Sequence, residues 1–264
     1  MDKIQSKDGT LIAYERSGHG PALVMVHGTT ADHTRWAPVL SQLQEKYSVY
    51  TVDRRGRGES GDHLPYSIER EFEDIASVAE SIPEPITLLG HSYGALCSLE
   101  AVLLSRRINR LILYEPPIPL GTGDAYPPQL IASIQQQLEQ GNRQGAVETF
   151  MREIPRLPPH ELELLKDSPS WKGRVAAAHT ILREMQATSR DGYRFDPKRF
   201  MKLTTPTLLM LGGDSPAFLR IAIQKLHETL PNNKIAVMPG QQHVAMNSAP
   251  DLFLREVIGF LREG

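Results

Sequence analysis

An α/β architecture built on a largely parallel sheet is the fold class this sequence predicts, on three observations. Apolar runs rich in β-branched residues alternate with longer stretches of helical period, the pattern of crossover units around parallel strands. The run Ile86-Thr87-Leu88-Leu89 stops at Gly90-His91-Ser92-Tyr93-Gly94 and enters Ala95-Leu96-Cys97-Ser98-Leu99-Glu100-Ala101, a good helix former. A serine between small residues therefore occupies a turn that passes directly from strand to helix. Between about Ile118 and Phe200 helical runs follow one another without a convincing strand, and strands resume at Pro206.

Taken in order, residues 11–15 and 22–26 read as strands. Ser17-Gly18-His19-Gly20-Pro21 between them is turn chemistry, which predicts early antiparallel strands. A helix near 35–46, a strand at 48–52 and a helix over 67–81 lead to the strand before Ser92. The helix after it runs to 104, and a strand at 111–114 ends at Glu115-Pro116-Pro117. Helical runs near 128–140, 144–153, 160–166 and 171–188 are separated by proline and glycine. An insertion of about 75 to 80 residues is too long for a plain loop and should lie over the strand ends. The expected division is a core of 1–117 and 201–264 with a helical cap at 118–200 after the sixth strand. The core then resumes with a strand at 206–211, the loop Gly212-Gly213-Asp214-Ser215-Pro216 and a helix to Leu230. A strand at 235–238, the loop Pro239-Gly240-Gln241-Gln242-His243 and a helix over 251–262 complete it.

Composition narrows the function classes. With 40% hydrophobic residues, 23% charged residues and a net charge of -2, nothing pulls the chain toward nucleic acid or an acidic membrane. A small-molecule partner is expected. The start, Met1-Asp2-Lys3-Ile4-Gln5, carries no apolar leader, and no run approaches the ~20 apolar residues of a membrane span, so the expected location is cytoplasmic. A single cysteine forms no internal disulfide, and Cys97, inside the helix after the serine, reads as a small buried hydrophobe. Neither G-x-G-x-x-G nor G-x-x-x-x-G-K-[ST] occurs, and the histidines show no metal-ligand spacing such as H-E-x-x-H. No cofactor and no metal are expected.

The chemistry follows from Ser92. A serine hydroxyl is a weak nucleophile until a base removes its proton, and histidine does this near neutral pH. His243 lies in a glycine-containing loop after the last strand, from which it can reach Ser92 across the carboxyl ends of the strands. A tetrahedral intermediate needs hydrogen-bond donors aimed at its oxygen, and the N–H of Tyr93, at the start of the helix, is one. The imidazole in turn needs a carboxylate on its far nitrogen.

Four segments together resemble the α/β-hydrolase fold family over essentially the whole chain. They are Val26-His27-Gly28-Thr29-Thr30, Asp53-Arg54-Arg55-Gly56-Arg57-Gly58-Glu59-Ser60, the Ser92 turn, and Gly240-Gln241-Gln242-His243. The resemblance implies an eight-stranded, mostly parallel sheet flanked by helices, a helical lid, and a serine, acid, histidine triad in that chain order. It also implies Thr29 N–H as the second oxyanion donor, a bracing role for His27, and a loop-shaping role for Asp53 and its arginines, a pocket-facing Arg54 or Arg55 being the alternative.

The acid departs from the family pattern. In P-x-x-x-x-x-G-x-x-D the aspartate follows the glycine by three positions, and counting from Pro206 and Gly212 lands on Ser215. Asp214 is one position early. Glu115 ends the strand after the helix that follows the Ser92 turn, or nucleophile elbow, where haloalkane dehalogenases of this fold can carry their acid. Glu115 is favoured, with Asp214 as the alternative. Trp36, His33 and Tyr126 are expected to pack rather than recognise ligand, and Met151, Met185 and Met246 to fill core gaps.

The expected activity is hydrolysis of an ester or lactone of a small, fairly apolar molecule through a serine acyl-enzyme. Dehalogenases and epoxide hydrolases of this fold carry an aspartate at the elbow, so Ser92 points away from both. C–C bond hydrolysis, perhydrolysis, and acyl transfer or cyclisation use the same triad, and a catalytically silent receptor would use the pocket alone.

Overall fold

The computed structural model describes residues 1–120 and 126–263, so the start of the insertion, 121–125, lies outside the described residues. Its strands are β1 (Asp2–Gln5), β2 (Leu11–Ser17), β3 (Ala22–Val26), β4 (Ser48–Val52), β5 (Ile86–His91), β6 (Ile108–Tyr114), β7 (Thr207–Gly212) and β8 (Asn233–Met238). They form one sheet in the order β1-β2-β4-β3-β5-β6-β7-β8. β2 is antiparallel to both its neighbours, β1 and β4, and every other pair is parallel. The turn at 17–21 therefore joins strands that β4 separates, and no hairpin forms there. Burial explains the placement: every residue of β3 is buried, as an interior parallel strand requires, while β2 keeps several residues partly exposed near the edge. β1 has no apolar alternation, is mostly exposed and is invisible to periodicity.

Alternation along the central strands sends side chains to two cores. Val24, Leu88 and Leu113 pack with Phe72, Leu96 and Leu226, which come from α2 (Ile68–Ser81), α3 (Tyr93–Ala101) and α9 (Ala217–Thr229). Leu23, Met25, Leu89 and Ile112 face the other way, onto Leu43 of α1 (Ala37–Gln44) and Phe253 of α11 (Pro250–Leu261). Each such side chain, fully withdrawn from water, contributes about 1.5–3 kcal/mol. Covered on both faces, the sheet opens only at its strand ends.

Between β6 and β7 the described residues contain helices and no strand: α4 (Pro128–Glu139), α5 (Arg143–Glu153), α6 (Pro159–Lys166), α7 (Trp171–Ala176) and α8 (Ile181–Ala187). They share a cluster of their own, with Ile134, Val147, Leu165 and Ile181 buried, and it meets the sheet part through Val244. The helix expected over 171–188 is interrupted by a 3-10 turn at Ala177–Thr180, where the Thr180 hydroxyl donates to the Ala177 carbonyl at 2.7 Å. That bond competes with the regular helical ladder. No helix among the described residues is long and apolar enough to cross a membrane. A short helix, α10 (Ala245–Ser248), follows the His243 loop.

Candidate active site

Ser92 stands between the last residue of β5 and the first of α3, with φ 54 and ψ -125. Positive φ on a non-glycine residue is strained by about 1–3 kcal/mol and persists only where its surroundings over-determine it. Here the Ser92 N–H donates to Tyr114 O at 2.8 Å, and the Ser92 carbonyl accepts from Ala95 N–H at 2.8 Å. The turn also needs bare neighbours. A Cβ on Gly28 would come within 2.8 Å of Ser92 Cβ, and one on Gly90 would meet Ala95 Cα at 2.5 Å. Within a buried stretch Ser92 alone keeps partial exposure, because the turn lifts it toward the strand ends.

Glu115 directly follows β6 with φ 48 and is fully buried. Its Oε2 lies 2.5 Å from His243 Nδ1, while its Oε1 accepts from the Gly212 N–H at 2.7 Å and from the Ser215 hydroxyl. Three donors thus orient the carboxylate. Asp214 is exposed, its N–H donates to Gln241 O at 3.0 Å, and its side chain makes no bond to His243. Of the two candidate acids the structure brings Glu115 to the imidazole and not Asp214. The reason is local: after Gly212-Gly213 the turn directs residue 215 inward and residue 214 to solvent.

The His243 loop is pinned from two strands. The Tyr114 hydroxyl donates to Gln242 O and accepts from Ala245 N–H at 3.2 Å, and His91 Nε2 donates to the His243 carbonyl at 2.8 Å. Burial, then the His243 ring and the Arg35 charge, hold the His91 pKa well below the usual histidine value, so this ring stays neutral. Trp36, buried, sets an edge against His91 with ring centroids 6.4 Å apart.

Thr29 lies in the loop after β3, beside Thr30 with φ 51, and lines the same cavity as Ser92, Tyr93 and His243. His27 does not face that cavity. Its Nδ1 donates to Gly28 O at 2.9 Å and its Nε2 accepts from the Arg54 N–H at 3.1 Å, so the ring ties two loops together. Burial, then the charges of Arg54 and Arg57, push its pKa well down. Asp53 shapes its loop by accepting from the N–H groups of His33 at 2.7 Å and Glu59 at 2.9 Å. The alternative of a pocket-facing Arg54 or Arg55 is corrected. Arg54 bonds Glu71 at 2.7 Å and also Glu184, while Arg55 bonds Asp74 at 2.7 Å and Asp8 at 2.9 Å, and neither lines the cavity. A buried guanidinium is held where carboxylates can neutralise it.

The cavity encloses about 660 Å³, including its opening to solvent. The insertion supplies much of its apolar wall, with Phe150, Met151, Ile154 and Met185, and the sheet part adds Phe218 and Val244. Tyr126, Met151 and Met185 therefore line the cavity, contrary to the packing role expected of them, whereas His33, Trp36 and Met246 do not. Sequence reasoning missed three of its charged residues, Arg35, Arg174 and Glu184. Arg35 gave no sequence signal, since it follows Asp32-His33-Thr34 in a polar turn. Arg174 looks like any solvated helix residue.

Comparisons agree with this geometry. Residues 23–256 match the model of the alpha/beta hydrolase family. An alpha/beta hydrolase from Sphaerobacter thermophilus DSM 20745 is 35% identical, with a TM-score of 0.82 over 98% of this chain and 100% of that one. The 2-(acetamidomethylene)succinate hydrolase of Mesorhizobium japonicum is 25% identical over 254 residues, 92% of this chain and 89% of its own. An esterase from Exiguobacterium antarcticum, 22% identical, shares the fold with a TM-score of 0.79 over 99% of each chain. With sheet order, serine turn and family model in agreement, the chain belongs to the alpha/beta hydrolase family, and it is a hydrolase.

Proposed function

We propose that the chain hydrolyses an ester or lactone of a small molecule through an acyl-enzyme on Ser92. The observation that carries this reading is the convergence on one cavity of a strained, accessible serine and a histidine whose far nitrogen is bonded to a buried glutamate. With Glu115 accepting from Nδ1–H, the imidazole is left with an unprotonated Nε2, the tautomer a general base requires. His243 takes the Ser92 proton as Oγ attacks the acyl carbon. The N–H groups of Thr29 and Tyr93 receive the developing oxyanion. His243 then protonates the leaving oxygen, and a water activated by the same ring releases the acid. Residues 118–200 act as a cap whose apolar side chains select the acyl or alcohol body. The Mesorhizobium relative is named as a hydrolase, which agrees with water as the final acceptor.

A fluorophosphonate probe tests the mechanism, and a panel of p-nitrophenyl esters and lactones of graded length maps the substrate. The expected result is one adduct, on Ser92, and turnover that the adduct abolishes. A folded protein that takes no label and turns over none of the panel would be a binding protein instead.

A further inference from the structure

Two arginines at the cavity form no salt bridge among the described residues. Arg35, in the 3-10 turn after β3, is 1% exposed, and Arg174, on α7 of the insertion, is 3% exposed. Both line the cavity that holds Ser92 and His243, and the Nε of each is buried without a partner. Their remaining bonds are weak for a cation. Arg35 donates to Asn247 Oδ1 and, at 2.7 Å, to the Met246 thioether, while among the described residues Arg174 reaches only the Thr30 carbonyl, at 3.4 Å. Guanidiniums elsewhere in the interior are treated differently: Arg54 and Arg57 share Glu71 and Glu184, and Arg55 holds Asp74 and Asp8.

Carboxylates near the pair do not neutralise it. Glu184 lines the cavity with Oε1 engaged by Arg54 and Arg57 and Oε2 buried without a partner among the described residues, and it forms no salt bridge to Arg35 or Arg174. Asp32 spends one oxygen on the Thr34 N–H and hydroxyl and acts on Arg174 only from a distance. Glu161 likewise acts on Arg35 from a distance, and burial pushes its own carboxyl up. Burial and their mutual repulsion hold Arg35 well below the usual arginine value, and burial brings Arg174 down to about 10. Two desolvated like charges facing one space are an arrangement that an incoming anion relieves.

We propose that the substrate bears a carboxylate, which Arg35 and Arg174 bind at one end of the cavity while the apolar wall holds the rest of the molecule. The proposal rests on reading this cavity as the acyl-hydrolase site. A guanidinium fork matches a carboxylate in two parallel N–H···O bonds. No lysine joins the pair in the lining, so the further oxygens of a dianionic phosphate would go unmet. Arg174 reaches the carbonyl of Thr30, one residue beyond Thr29, which puts the charged end on the oxyanion side of the cavity.

The test uses Ser92→Ala, which binds without turnover, and calorimetry with the monomethyl esters of succinate, glutarate and adipate against their neutral dimethyl esters. At least one monomethyl ester should bind about tenfold or more tightly than its dimethyl counterpart, the range for a hydrogen bond to a charged group. Arg174→Gln and Arg35→Gln, each added to Ser92→Ala, should bring that ratio toward one. If Arg35→Gln fails to fold for want of its Asn247 bond, Arg174→Gln decides, and if neither folds the ratio in Ser92→Ala decides. Equal binding across all three pairs, no binding of any monomethyl ester, or a preference that survives in a folded arginine variant would overturn the carboxylate site. The wild-type enzyme separates this from the mechanism. Anion preference without turnover of any ester refutes the acyl-enzyme and keeps the site, while turnover with no anion preference does the reverse.

Discussion

Ser215 donates its hydroxyl to Oε1 of Glu115, the carboxylate whose Oε2 faces the ring of His243. Ser215 occupies the place where the family's aspartate is counted, and there it orients the carboxylate that faces the ring instead of supplying one. Glu115→Gln should lower kcat/KM on a p-nitrophenyl ester by about 10²–10⁴-fold, because the amide no longer fixes the tautomer or balances the imidazolium. Asp214→Asn should stay within about twofold, as an exposed change away from the reacting atoms does. Adding Ser215→Asp to Glu115→Gln should recover about tenfold or more by restoring a charge to the ring. Steady-state kinetics on the three variants check this, and a larger loss from Asp214→Asn than from Glu115→Gln would move the acid.

Ser92→Ala and His243→Ala should each remove about 10³-fold or more of kcat, and the double variant should lose little beyond either one, since these residues act as a unit. Circular dichroism should be unchanged, for both side chains end in the cavity. Near-normal turnover in either variant excludes the mechanism.

The parallel sheet and the serine turn were legible because each rests on local pattern. β3 is an unbroken apolar run and β5 a largely apolar one, and Gly90 and Gly94 around Ser92 mark the tight passage into the helix. The acid was legible as a pair of candidates only. Whether Glu115 or Asp214 meets His243 depends on how the turn after β7 rotates, and neighbouring sequence leaves that open until Gly212 and Ser215 are seen bonding Glu115. Arg35 and Arg174 line one cavity from segments 139 positions apart in the chain, and their lack of a salt-bridge partner among the described residues is a property of packing alone.

Acid should unfold the protein partly through Glu71. Burial alone would raise this carboxyl, but the charges of Arg54 and Arg57 and the hydrogen bonds from Arg54 and Tyr66 outweigh it and bring the pKa from 4.5 down to about 2. A carboxyl whose pKa is depressed in the folded chain contributes stability that is complete above its unfolded value and is lost as pH falls through the folded one. The melting temperature should therefore drop between pH 4.5 and about 2. Glu71→Gln should destabilise the protein at pH 7 by about 3–5 kcal/mol, because it strips a buried guanidinium of a partner. Its melting temperature should also fall less steeply in that acid window. A parallel pH dependence in variant and wild type would assign the acid sensitivity to other groups.

Ile154 follows α5, lines the cavity and is only partly buried, so it can be shortened with less damage to the fold than Phe150 or Met185. Ile154→Ala removes apolar atoms from the wall without touching Ser92, His243 or either arginine. If the insertion selects the substrate body, the loss should show in ranking rather than in chemistry. One methylene of fit in an apolar pocket is worth about 1–3 kcal/mol, or roughly 10- to 200-fold in discrimination. Removing several should therefore shift the best p-nitrophenyl acyl chain to a longer one. The kcat on the best substrate should change far less than its identity does. An unchanged chain-length profile, with the fluorophosphonate adduct still forming on Ser92, would leave the insertion covering the site without choosing what enters it.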